Sequence, residues 1–111
     1  MISDQTVQQA VAKIVAVARP RKIILFGSYA RGVASEASDL DLMVIEPKVT
    51  NAGAETARLR EAIGSIGVGI DVVVYSESEF ERRKNWCTTP VYWALREGKV
   101  LYDAEKPPAS H

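Results

Sequence analysis

The stretch that decides the fold is residues 22–45, which read KIILFGSYARGVASEASDLDLMVI. Both ends of the stretch are rich in β-branched and large apolar residues, and they predict two strands, Lys22–Phe26 and Asp39–Ile45. Gly27-Ser28 ends the first strand, and the small residues that follow predict a loop with a helical turn. The stretch therefore predicts two strands joined by a loop.

The second of these strands carries two acids in an alternating pattern. Asp39 and Asp41 fall on one face of the strand, and the leucines that follow each of them point the other way into an apolar layer. A third predicted strand, Ile70–Tyr75, carries Asp71 among apolar residues. If the strands are neighbours, three carboxylates converge. Such oxygen ligands suit Mg²⁺, which substrate phosphates commonly complete, so the pattern predicts a phosphate-bearing substrate.

The end of the first strand carries the residues expected to meet a phosphate. Gly27 lets the backbone approach a phosphate closely, and the N–H groups at Ser28 and beyond can receive an anion. Arg31 lies one turn further on and can add a charged hydrogen bond. Residues 5–35 hold five bases and no acid, whereas residues 36–46 hold four acids and no base. This charge pattern fits a site for an anion and a metal.

Apolar periodicity and capping residues predict the flanking elements. They are helices over residues 4–18, 53–66, 78–85 and 90–97, and an edge strand over residues 99–102. The order indicates an α/β (α+β) fold in two layers, with a central mixed sheet and helices packed on it. We expect one domain over residues 1–104 and a flexible tail over residues 105–111.

Composition excludes several classes of protein. The chain has 111 residues, no net charge and 47% hydrophobic residues, as a globular domain does. A single cysteine, Cys87, excludes an internal disulfide or a cysteine-based zinc site, and no apolar run is long enough to span a membrane. The start of the chain lacks a secretory signal pattern, so a cytoplasmic location is predicted. Net neutrality argues against direct nucleic-acid binding, and we interpret the basic run 82–84 beside Trp86 as a solvated face.

Three motifs carry a family resemblance. The run Gly27-Ser28-Tyr29-Ala30-Arg31-Gly32 is followed by Ser38-Asp39-Leu40-Asp41-Leu42, with ten residues between Ser28 and Asp39. This spacing resembles the signature of the polymerase-beta-type nucleotidyltransferase superfamily. With Ile70-Asp71-Val72 added, the chain resembles in particular the minimal nucleotidyltransferases, the MNT family. The resemblance covers residues from about 5 to about 103.

The resemblance implies an enzyme and assigns its site residues. It implies that Asp39, Asp41 and Asp71 hold two Mg²⁺ ions against ATP, and that Asp71 also helps to deprotonate the acceptor. Gly27, Ser28 and Arg31 would then contact the nucleotide. Members of the family resemble antitoxins, so the implied reaction is transfer of AMP to a tyrosine hydroxyl of a HEPN-type toxin.

Other interpretations stay open at this point. Asp39 and Asp41 could be a solvated pair at a strand start, Gly27 an ordinary turn glycine, and Arg31 a solvated loop residue. The protein could be a non-catalytic or vestigial nucleotide-binding module that neutralises its partner by one-to-one binding. The acceptor could also be a small molecule or an RNA end.

Overall fold

The structure of the chain, a computed structural model, describes residues 3–35 and 38–105. Its elements follow the predicted order. The helices are α1 (Asp4–Ala18), α2 (Gly27–Arg31), α3 (Ala52–Ile63), α4 (Glu77–Arg83) and α5 (Pro90–Glu97). The strands are β1 (Lys22–Phe26), β2 (Leu40–Glu46), β3 (Ile70–Ser76) and β4 (Lys99–Asp103).

Two helices differ from the prediction at their ends. The helix predicted over residues 53–66 ends earlier, because Gly64 adopts a left-handed φ of 72° and caps α3. The helix predicted over Ser78–Asn85 begins one residue earlier and ends at Arg83. Its start is fixed by Ser76, whose hydroxyl accepts a hydrogen bond from the backbone N–H of Glu79 at 3.2 Å.

The four strands form one mixed sheet in the order β3-β2-β1-β4. Strand β1 pairs antiparallel with both β2 and β4, while β2 and β3 are parallel. Helix α3 makes the crossover that a parallel pair requires. The parallel register aligns Asp41 with Asp71, and the antiparallel register aligns Asp41 with Phe26. The sheet therefore gathers the ends of three elements around Asp41.

Strand β2 is buried on both faces, because helices cover the sheet on both sides. Leu40, Leu42 and Val44 join the larger apolar cluster, which includes residues of α1 and α3. Met43 and Ile45 point to the other face and join a smaller cluster with residues of α4 and α5. The mixed α/β fold is thus confirmed. It has three layers and not the two predicted, because α4 and α5 form a smaller layer on the second face of the sheet.

Two expectations concern the ends of the chain and membranes. Within residues 3–35 and 38–105, every helix is too short or too polar to cross a bilayer. The tail predicted over residues 105–111 lies outside the described residues from residue 106 onward.

Candidate active site

Asp39 and Asp41 mark the amino-terminal end of β2. Leu40 and Leu42 are fully buried in the larger cluster, so alternation turns both aspartates to the opposite face. Asp39 is exposed just before the strand, and Asp41 is half-buried as its second residue. Burial of the two leucines thus determines which way the two aspartates point.

Strand β3 brings the third acid to the same place. Asp71 is exposed and lies beside Asp41 in the parallel register. Burial raises the pKa of Asp41, and the negative charges of Asp71 and then Asp39 raise it further. A cation bound beside these carboxylates would remove the repulsion.

The corner between β1 and α2 lies against Asp41. Gly27 has a φ of 74°, a conformation that favours glycine. A Cβ at this position would also clash with Asp41 Oδ2 and would lie 3.0 Å from Asp41 Cγ. Ser28 is half-buried next to it, and Arg31 is exposed at the end of α2. The structure thus places Gly27 against Asp41, with Ser28 next to it, and leaves Arg31 exposed to solvent one turn further along α2.

Sequence reasoning missed one residue of this site, Gly69. A Cβ on Gly69 would lie 2.9 Å from Asp39 Cγ and even closer to Asp39 Oδ1. The carbonyl oxygen of Gly69 accepts a hydrogen bond from the Leu40 N–H at 2.9 Å, just before the parallel pairing begins. The available signal in the sequence is a glycine two residues before Asp71, and by itself it indicates only the end of the preceding helix.

The oxygen atoms of these three aspartates are the type of ligand that a hard divalent cation prefers. The ligand set consists of carboxylate oxygens only, on two paired strands, beside a backbone turn that could approach phosphates. In the described part of the chain, no three acidic, histidine or cysteine side chains are already gathered closely enough to hold a metal ion. Asp39, Asp41 and Asp71 stay the residues predicted to hold such an ion, and their side chains would have to turn toward it.

Comparison with known proteins decides the family. Residues 6–86 match the family described as nucleotidyltransferase domain. The chain belongs to this family. A protein of Methanocaldococcus jannaschii, provisionally named a protein adenylyltransferase, is 37% identical to this nucleotidyltransferase over 84 residues, which are 76% of this chain and 80% of the relative. The matched range contains the Gly27-Ser28 motif and all three aspartates.

Solved structures confirm the fold of this nucleotidyltransferase. One is a provisionally named nucleotidyltransferase from Sulfolobus solfataricus, with a TM-score of 0.62, 18% identity, and coverage of 93% of this chain and 82% of that one. Another is a toxin–antitoxin structure with AMP-PNP, with a TM-score of 0.59, 20% identity, and coverage of 88% and 74%. The predicted family and enzyme class are thus confirmed, while the roles of individual site residues stay predictions.

Proposed function

We propose that this nucleotidyltransferase transfers AMP from ATP, with Mg²⁺, to a tyrosine hydroxyl of a HEPN-type toxin and so acts as an antitoxin. The observation that carries the proposal is the alignment of Asp41 with Asp71, beside Asp39 and against Gly27. Nucleotidyl transfer needs negative phosphates held in line with an acceptor, and clustered carboxylates hold the cations that permit this. A site of this composition suits that reaction.

The residues take distinct roles in the proposed reaction. Asp39 and Asp41 would hold Mg²⁺, and Asp71 would hold a second ion and accept the proton of the acceptor hydroxyl. Bound there, Mg²⁺ would supply positive charge that offsets the charge of the reacting phosphates. The acceptor oxygen forms a bond to the α-phosphorus of ATP, and the bond to pyrophosphate breaks. Backbone N–H groups at Gly27 and Ser28 orient the phosphates, and Arg31 adds positive charge from the rim.

A protein acceptor is supported by two comparisons of different weight. The 37% identical relative is named as a protein adenylyltransferase, and this chain covers most of its length. The toxin–antitoxin neighbour with AMP-PNP shares the fold, and its context suggests a toxin as partner. The HEPN class, the tyrosine, the pair of Mg²⁺ ions and a cytoplasmic location rest on the sequence and its resemblance to minimal nucleotidyltransferases.

A labelling assay tests the proposal. The protein is incubated with α-³²P-labelled ATP and Mg²⁺, with and without a HEPN-type toxin from the same genome, and label is read on a denaturing gel. We expect label on the toxin, and a loss of about 100-fold or more in rate for Asp41→Asn, because electrostatic stabilisation of this kind commonly contributes that much. Asp4→Asn, an exposed substitution of the same type in α1, is the control and should label normally.

Three outcomes would contradict parts of the proposal. Equal labelling by wild type and Asp41→Asn would remove Asp41 from the site. Neutralisation of the toxin at one-to-one mixing without ATP would favour the stoichiometric binding module. Label that persists after each toxin tyrosine is changed to phenylalanine would assign a different acceptor.

A further inference from the structure

We infer that Gly69 is a positioning residue of the active site, because its missing side chain leaves the space that the Asp39 carboxylate occupies. The three heavy atoms nearest to a Cβ built on Gly69 all belong to that carboxyl group, with Cγ at 2.9 Å and Oδ2 at 3.5 Å. Real Cβ atoms essentially never approach another atom under 3.0 Å. Any side chain at position 69 therefore forces the Asp39 carboxylate to move.

Backbone conformation does not explain the glycine at this position. Gly27, Gly32, Gly64 and Gly67 have positive φ angles, whereas Gly69 does not. An alanine at position 69 is therefore compatible with the local backbone, and the obstacle it meets is the side chain of Asp39. This separates Gly69 from the turn glycines, where any residue with a Cβ would be strained.

The main chain at the contact is fixed, so the side chain must yield. The Leu40 N–H donates to the Gly69 carbonyl at 2.9 Å, and Leu40 pairs with Ile70 in the parallel register. Leu40 is fully buried, which anchors the residue next to Asp39. A methyl group at position 69 would thus be accommodated by rotation of the Asp39 carboxylate and not by separation of the strands.

The same arrangement occurs a second time at Asp41. A Cβ on Gly27 would clash with Asp41 Oδ2, as a Cβ on Gly69 would clash with Asp39 Oδ1. The carboxylates of Asp39 and Asp41 therefore each lie over the Cα of a glycine from another part of the fold. Gly27 combines this with a positive φ, so Gly69 is the position where the contact alone can be tested.

The inference rests on the proposed function, in which Asp39 binds a divalent cation together with the nucleotide. Mutation of a residue that orients a metal ligand commonly lowers metal affinity by about 10–100-fold. We expect Gly69→Ala to lower the affinity for Mn²⁺ in the presence of a non-hydrolysable ATP analogue by that factor. Higher Mg²⁺ should restore part of the transfer rate, which a general loss of folded protein would not show.

The experiment measures Mn²⁺ binding by electron paramagnetic resonance in the presence of the analogue. Gly53→Ala is the matched control, because a Cβ on Gly53 meets only Asn51 Oδ1 at an ordinary 3.5 Å. Adding Gly69→Ala to Asp39→Asn should change Mn²⁺ affinity by no more than about twofold beyond Asp39→Asn alone, since both substitutions act on one ligand. Thermal unfolding of each variant accompanies the measurement.

Specific outcomes overturn the inference. Unchanged Mn²⁺ affinity in Gly69→Ala, or a full further loss in the Asp39→Asn background, would show that Gly69 does not act through Asp39. If Gly69→Ala fails to fold, the double variant Asp39→Ala, Gly69→Ala should fold because the clash is gone, and an unfolded double variant overturns the inference. Wild-type affinity in Asp39→Asn would instead overturn the proposed function and this inference with it.

Discussion

Glu46 is an acidic residue that is almost completely buried. It is only 6% exposed at the carboxyl end of β2, and within the described chain its Oε2 has no hydrogen-bond partner. It shares a side-chain hydrogen bond with Glu55, which in turn binds Arg58 through both carboxylate oxygens at 2.8 and 2.7 Å. Two carboxyl groups can share a hydrogen bond only if one is protonated. Burial, followed by the hydrogen bond and charge of Glu55, raises the pKa of Glu46 to about 8.

This raised pKa predicts that stability falls as pH rises toward 8. The folded state holds a proton on Glu46 that the unfolded state releases near the ordinary pKa of 4.5, so stability falls between about pH 4.5 and about pH 8 and levels off above that. Between pH 6 and pH 9 we expect the free energy of unfolding to fall by about 1–3 kcal/mol, the usual cost of an uncompensated buried polar group. Urea unfolding at both pH values measures this change.

Matched variants assign the effect to Glu46. Glu46→Gln keeps the shape and can still donate a hydrogen bond to Glu55, so its stability should differ little between the two pH values. Glu61→Gln, an exposed substitution of the same type on α3, should behave as the wild type does. An equal alkaline loss in Glu46→Gln would assign the pH dependence to other groups.

At the scale of elements, the turn from α5 into β4 is packed tightly against β1. A Cβ on Gly98 would clash with the carbonyl oxygen of Ala94 and would lie 2.7 Å from the Leu25 carbonyl oxygen and 2.9 Å from Ile24 Cγ2. Its φ of −85° is ordinary, so the contacts alone require glycine. The end of α5 thus lies directly on the backbone of β1.

Gly98→Ala should therefore destabilise the protein. Backbone atoms cannot rotate away as a side chain can, so we expect a loss of about 1–3 kcal/mol or more in the free energy of unfolding. Chemical denaturation of the variant measures it. Gly53→Ala, which lies in the first turn of α3 with room for a methyl group, should be neutral or should stabilise by up to about 1 kcal/mol. Equal stability of the two variants would show that the turn can open at little cost.

The element scale also shows what a sequence can reveal about the site. Asp39 and Asp41 could be predicted, because alternation along one strand is a local property. Gly69 and Glu46 could not be identified, because their environments depend on distant parts of the chain. Gly69 meets Asp39 only in the parallel register of β2 with β3, and Glu46 meets Glu55 only after α3 packs. Similarly, a glycine directly after the predicted helix 90–97 indicates a helix end, but the contact of Gly98 with β1 depends on how the helix packs.

At the scale of the whole molecule, the core extends across both faces of the sheet. Val44 and Met43 are neighbours on β2, both are fully buried, and they belong to different clusters. The larger cluster is covered by α1 and α3, and the smaller one by α4 and α5. Burial of both faces explains why β2 is a nearly continuous apolar run after Asp41.

Because helices cover both faces of the sheet, a large-to-small substitution in the smaller cluster should lower the free energy of unfolding as much as one in the larger cluster. Met43→Ala should lower the free energy of unfolding by about 2–5 kcal/mol, as usual for a buried large-to-small change. Val100→Ala, at a side chain that is 54% exposed, should change it by no more than about 0.5 kcal/mol. The measurement is urea unfolding followed by circular dichroism and tryptophan fluorescence. A small effect of Met43→Ala would mean that α4 and α5 cover the sheet only loosely.

The irregular pairing of β4 has a consequence for the behaviour of the protein at high concentration. Its register against β1 shifts between Ile23 and Ile24, and within the described chain its other side lies beside no strand. An unpaired, straight strand is a template on which another chain can extend the sheet. Register shifts of this kind commonly bend a strand, and Lys99 and Asp103 place a charge at each end of β4. We therefore expect β4 to be a weak template for aggregation, although it exposes the apolar residue Val100.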